Sequence, residues 1–192
     1  MVAFLLLALL PCASARSPQP SPPSDSGLVS DRVGVEIVTS QRLLARHRFR
    51  EAIDVLANLD PPAPLDLAVE LLRLRALDGL RTDDLAPFTA AASRFPGNPT
   101  IMLLIGKWHL RRGDPLLAKS LFIASWEAGA SSVAAYWVAV AFMDQGDFEQ
   151  ARTWFVTSIA VRDPDDALAR KSGVELTGMS RQDKAMRRRM GP

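Results

Sequence analysis

Small side chains return about every thirty-three residues along this chain, and that period limits the possible folds more than any other feature. Ala52, Ala118 and Ala151 each follow a two-residue turn, His47-Arg48, Gly113-Asp114 or Gly146-Asp147. A bulky residue comes four positions after each alanine: Leu56, Phe122 and Phe155. In the segment LRTDDLAPFTAAASRFPGNP, Ala86 and Ala90 fill the gap less well. With Ala86 included, successive alanines stand 34, 32 and 33 residues apart. A period of this length is that of a repeating two-helix unit.

The physics of such a unit is compact. A pair of short helices cannot bury its apolar face alone, so each pair must stack on the next. Alanine belongs where two helices cross, because only a small side chain lets the backbones approach. In the Gly-Asp turns, glycine closes the first helix in the left-handed conformation and aspartate caps the second. From about Val33 the chain is rich in Leu, Ala and Arg, with no strict alternation, which is a helical pattern. The expected fold class is therefore all-α: a right-handed α-α superhelix of stacked antiparallel helix pairs, about four pairs across residues 33–166.

These residues resemble the tetratricopeptide repeat. In the third unit the matching positions are Gly106, Gly113, Ala118 and Phe122. In the fourth they are Ala139, Gly146, Ala151 and Phe155, with Pro164 near the closing position. His47 departs from the pattern by replacing the turn glycine of the first unit. Pro87 would obstruct a helix interior in the second, unless that helix starts late with Pro87 in its first turn. After Asp166, a helical stretch from Ala167 to Ser172 is expected to open a capping region over 167–179, interrupted at Gly173 and Gly178. Residues 180–192 form a basic tail, with Arg181, Lys184, Arg187, Arg188 and Arg189 against Asp183 alone.

The chain opens on a different composition. Val2 to Leu10 is an unbroken apolar run, too short to span a bilayer as a helix and long enough for a signal-peptide core. Pro11 ends it, and Ala13-Ser14-Ala15 offers a small-x-small cleavage pattern, although no Lys or Arg precedes the run. Residues 1–15 thus read as a signal peptide, and the mature protein as periplasmic or secreted. Cys12, the only cysteine, would be removed with that segment. The alternative is a lipid anchor on Cys12, although Pro11 stands where a small residue usually precedes a lipidated cysteine. Residues 16–32 are Pro/Ser-rich at their start and are expected to be an extended linker.

Catalytic and metal chemistry find little support. The two histidines, His47 and His109, lie in different units without a cysteine or paired carboxylate at ligand spacing. His109 reads as a packed core histidine and His47 as part of an exposed turn. There is no Gly-x-Ser-x-Gly elbow, phosphate loop or dinucleotide fingerprint. Asp83-Asp84 and Asp165-Asp166 follow turn signals and read as helix caps. Trp108, Trp126, Trp137 and Trp154 read as core or inter-repeat packing. No cofactor is expected. The net charge of +2 gives no case for nucleic acid, and an exported protein makes that partner unlikely. The basic tail reads as solvated or as a contact for anionic lipid or an acidic partner.

The resemblance implies that a partner binds the first helices, on the face turned away from the second helices. Mapped onto this chain, that face holds Gln41 and Leu44, then Arg75, then Leu103, Lys107 and Arg111, then Tyr136, Val140 and Met143. A basic patch beside an apolar one suits an extended or helical peptide bearing acidic groups. It does not match the lysine/asparagine clamp with which chaperone-binding members grip a terminal carboxylate. The expected role is a non-catalytic protein-protein interaction scaffold in the cell envelope, for example in assembly of a secretion, pilus or polysaccharide-export machine. The alternative is a regulatory subunit that controls an enzyme partner.

Overall fold

The computed structural model describes residues 25–61, 63–161 and 171–181. Among these, the chain forms α1 (Asp25–Ala45), α2 (Phe49–Ala57), α3 (Ala63–Gly79), α4 (Ala86–Arg94), α5 (Pro99–Arg111), α6 (Pro115–Gly129), α7 (Ser132–Asp144) and α8 (Phe148–Ala160). Residues 171–181 form a further, terminal helix, and no strand occurs among the described residues. Each helix packs on the next in sequence, and each odd-numbered helix also packs on the following odd one. The even-numbered helices touch only odd-numbered ones. That is the contact pattern of a stack of antiparallel pairs, in which α1, α3, α5 and α7 share one face.

The turns hold the period. The odd-numbered helices end on His47, Arg81, Gly113 and Gly146, all with positive φ. At each, the N–H of the left-handed residue donates to the carbonyl three residues back. The next N–H reaches five back, as in Asp114 to His109 and Asp147 to Phe142 at 3.1 and 3.0 Å. This double closure satisfies carbonyls that a helix end leaves unpaired. His47 and Arg81 adopt the same geometry without being glycine.

The second unit departs from the alanine pattern, for a simple reason. In the other three units the second helix opens two residues past the left-handed residue, but α4 opens five past Arg81. Asp84 bonds the Ala86 N–H through Oδ1 at 2.9 Å, and Pro87 lies in the first turn. The late start rotates α4, so Ala86 and Ala90 are exposed while Phe88 and Ala91 are buried. The alanine assignment in that unit is therefore corrected. In the other units Ala52, Ala118 and Ala151, together with Leu56, Phe122 and Phe155, are fully buried.

A second recurring device ties the opposite ends. Ser125 on α6 donates its hydroxyl to the Pro99 carbonyl at 2.8 Å, and Ser158 on α8 does the same to Ser132 at 2.9 Å. Both serines are buried, so the bond satisfies a hydroxyl that would otherwise be costly inside the stack.

Two expectations at the ends of the domain are corrected. Helix α1 begins at Asp25, inside the segment 16–32 read as a linker. The last proline of that segment is Pro23 and the next is Pro61, so nothing in the intervening backbone obstructs a helix. Gly173 and Gly178 do not interrupt the terminal helix, which runs through both. An internal glycine costs a helix only about 1 kcal/mol, and packing of Leu176 and Met179 on the Tyr136 and Phe155 cluster opposes that cost. The signal segment 1–15, Cys12, Pro164, Asp165-Asp166 and tail residues 182–192 lie outside the described residues.

Candidate functional site

Helices α1, α3 and α5 bring several of the expected groove residues together. Gln41 and Leu44 of α1 face Leu72, Arg75 and Asp78 of α3 across a hollow of about 490 Å³, closed at one end by His47 and Phe49. A second hollow of about 390 Å³ lies between α3, α5 and α7, lined by Arg75, Asp78, Thr100, Leu103, Leu104, Lys107, Val133 and Trp137 among others. Arg75 and Asp78 border both, so the two hollows adjoin. Of the expected residues, Gln41, Leu44, Arg75, Leu103 and Lys107 thus line one continuous feature.

The electrostatics of that feature centre on Asp78, which the sequence reading missed. Its carboxylate pairs with Lys107 Nζ and, at 2.5 Å, with Arg111 Nη1. Only 10% of the Asp78 side chain is exposed, against 21% for Lys107 and 29% for Arg111, so the pairs are partly shielded from solvent and still open to screening by salt. The expected basic patch of Lys107 and Arg111 is thereby partly neutralised from the neighbouring helix. Lys107 also lies 5.3 Å from the centre of the Trp137 ring. Arg75, one turn before Asp78, is exposed and forms no ion pair with any described residue. The signal for Asp78 was present, since it stands three residues after Arg75 on a helix and so shares its face.

The fourth-unit positions are corrected. Tyr136 is buried at 3% exposure and packs on Phe155, with ring centres 5.7 Å apart. Val140 and Met143 pack against the same cluster, which includes Leu176 and Met179 of the terminal helix. Lys171 lies 5.1 Å over the Tyr136 ring. The sequence placement treated α7 as the last first-type helix, but the terminal helix stacks on it and covers that face. The groove wall contributed by α7 is instead Val133 and Trp137.

Other assignments stand closer to expectation. Trp126 and Trp154 meet edge to face at 5.6 Å, and Trp137 packs on Phe122 and Tyr136. All four tryptophans are half-buried rather than fully enclosed. His109 is half-buried against Trp108, with Nδ1 4.0 Å from Asp114, and His47 is exposed. Among the described residues there is no group of side chains arranged to hold a metal ion, and no helix is long and apolar enough to cross a membrane.

The architecture and its shared first-helix face define a tetratricopeptide-like all-α solenoid. No protein-family model matches the chain, and no curated protein matches its sequence. Among solved structures it is similar to a mutant of MamA, a tetratricopeptide-containing protein, with a TM-score of 0.54 and 17% identity. The match covers 84% of this chain and 91% of that one. At this identity the likeness is one of fold.

Proposed function

We propose that this protein is a tetratricopeptide-type scaffold that holds a segment of a partner polypeptide along the face formed by α1, α3 and α5. The observation that carries the reading is the pair of adjoining hollows sharing Arg75 and Asp78. Preformed hollows with apolar walls and a few placed charges are what polypeptide recognition requires. Neither hollow is large enough for a folded domain, but each accommodates side chains projecting from one.

The test is a photo-reactive residue placed in cells at Gln41 or Leu103, with Val156 on the exposed side of α8 as control. A discrete adduct from the two groove positions, absent at Val156, supports the reading. Equal capture from both faces sinks it.

We further propose that the scaffold works outside the cytoplasm, in the assembly of an envelope complex. This rests on the apolar run Val2 to Leu10 and on Ala13-Ser14-Ala15. Sequencing the mature N-terminus is expected to begin at Arg16; an intact Met1 removes the export reading and leaves the groove untouched.

A further inference from the structure

Resting on the groove reading above, we infer that the partner segment carries a carboxylate flanked on both sides by apolar side chains, and that Arg75 selects it. The order of features along the groove gives the order along the ligand. One hollow is floored by Leu44 and Leu72, the other by Leu103 and Trp137, and Arg75 stands on the border they share. A segment running through both must place an apolar group in each and bring the residue between them to the guanidinium.

Charge decides what that middle residue is. Two cations, Arg75 and Lys107, line the hollows against a single anion, Asp78, which Arg111 also reaches from outside them, so the border is positive on balance. Asp78 engages Lys107 and Arg111, leaving Arg75 as the cation without an ionic partner among the described residues. A planar guanidinium of this kind binds a carboxylate through two parallel hydrogen bonds, and the apolar side chains on either side favour a segment whose neighbouring residues are apolar. A lysine in the ligand would meet net repulsion, and a neutral amide would forgo the ionic contact.

The experiment uses the purified protein and fluorescein-labelled synthetic peptides, read by fluorescence anisotropy. The probe peptides carry one aspartate between two leucines at varied spacing. Matched peptides have asparagine or lysine in place of the acid, or serine in place of the leucines. At least one acid peptide is expected to bind about tenfold more tightly than its asparagine counterpart, the change a charge-assisted contact carries. Serine in place of either leucine is expected to weaken binding as well. Arg75→Gln should abolish the acid preference, and Arg75→Glu should reverse it toward the lysine peptide. Arg75 is exposed, so both variants are expected to melt as the unaltered protein does. The inference falls if acid and amide peptides bind alike, or if the preference survives Arg75→Gln. It also falls if no peptide of the panel binds while photo-capture at the groove still succeeds, an outcome that leaves the scaffold reading standing.

Discussion

Gly106 of α5 faces the ring of Phe122 on α6 so closely that a Cβ on the glycine would stand 2.5 Å from a ring carbon. Phe122 is completely buried and cannot swing away. Adding a methyl group there gains up to about 1 kcal/mol of helix propensity, and overpacking costs about 1–3 kcal/mol. Gly106→Ala is therefore expected to lower stability, and the double change with Phe122→Leu to recover part of the loss. A denaturant melt of both variants checks this; a single change that stabilises would show that α5 and α6 can separate without cost.

The left-handed turn residues make opposite predictions at equivalent positions. His47→Gly and Arg81→Gly relieve a backbone penalty of about 1–2 kcal/mol and should raise the melting temperature, less the entropy glycine brings to the unfolded chain. Gly113→Ala and Gly146→Ala introduce the same penalty and should lower it. Four thermal melts decide the matter, and a uniform sign across all four would contradict the shared geometry.

Asn98 caps α5 by accepting from the N–H groups of Thr100 and Ile101 at 3.0 and 3.2 Å. Asn98→Ala is expected to cost about 1 kcal/mol, and Asn98→Asp much less, because aspartate caps equally well. Hydrogen exchange at the Ile101 amide should report the loss locally.

Asp78→Asn leaves Lys107 and Arg111 close together without their counter-charge. The stability loss should fall between the value for exposed pairs, under about 1 kcal/mol, and that for fully buried ones, about 3–5 kcal/mol. Added salt should narrow the gap between variant and parent by screening the two cations. A gap unaffected by salt would mean that Asp78 acts through packing rather than charge.

Met179 joins the terminal helix to the Tyr136 and Phe155 cluster. Its truncation to alanine is expected to cost about 2–5 kcal/mol, and to bring Tyr136 within reach of solvent iodination. Unchanged stability would indicate that the terminal helix is an appendage and that α7 is free to bind ligand after all.

What could be read from the sequence follows from how locally each feature is encoded. Gly113-Asp114 and Gly146-Asp147 announce their turns because left-handed backbone favours glycine and helix starts favour aspartate. Arg81 gives no such signal, yet it occupies the same geometry because the surrounding hydrogen bonds over-determine it. The alanine period survived in the second unit as a spacing of turns, while three additional residues before α4 moved Phe88 into the interior. In the groove, Gln41, Leu44, Arg75, Leu103 and Lys107 lie on the first-helix face that the resemblance implies, while Arg111 lines a separate hollow with Arg81, Trp108 and Arg112. Tyr136 was not legible, because its burial depends on a helix beginning far along the chain, and no local pattern on α7 reports a remote neighbour. Asp78 could be placed beside Arg75 from its spacing, but its ion pairs could not, because both partners lie on the adjoining helix.

The serine hooks have a consequence for how this molecule could change length. Ser125 and Ser158 fasten each pair to its own starting carbonyl, while a left-handed residue locks the opposite corner. The α5/α6 and α7/α8 units are therefore each closed at both ends, and Gln145 after α7 adds a tie across their border to Lys119 and the Pro115 carbonyl of α6. Excision or duplication of a whole module rejoins like with like and leaves the serine hooks and left-handed turns engaged, with only the Gln145 tie to be re-formed at the new border. A smaller insertion, such as the one before α4, instead exchanges which side chain fills the crossing. Growth by complete modules is thus nearly silent structurally, whereas growth by a few residues rewrites the interior.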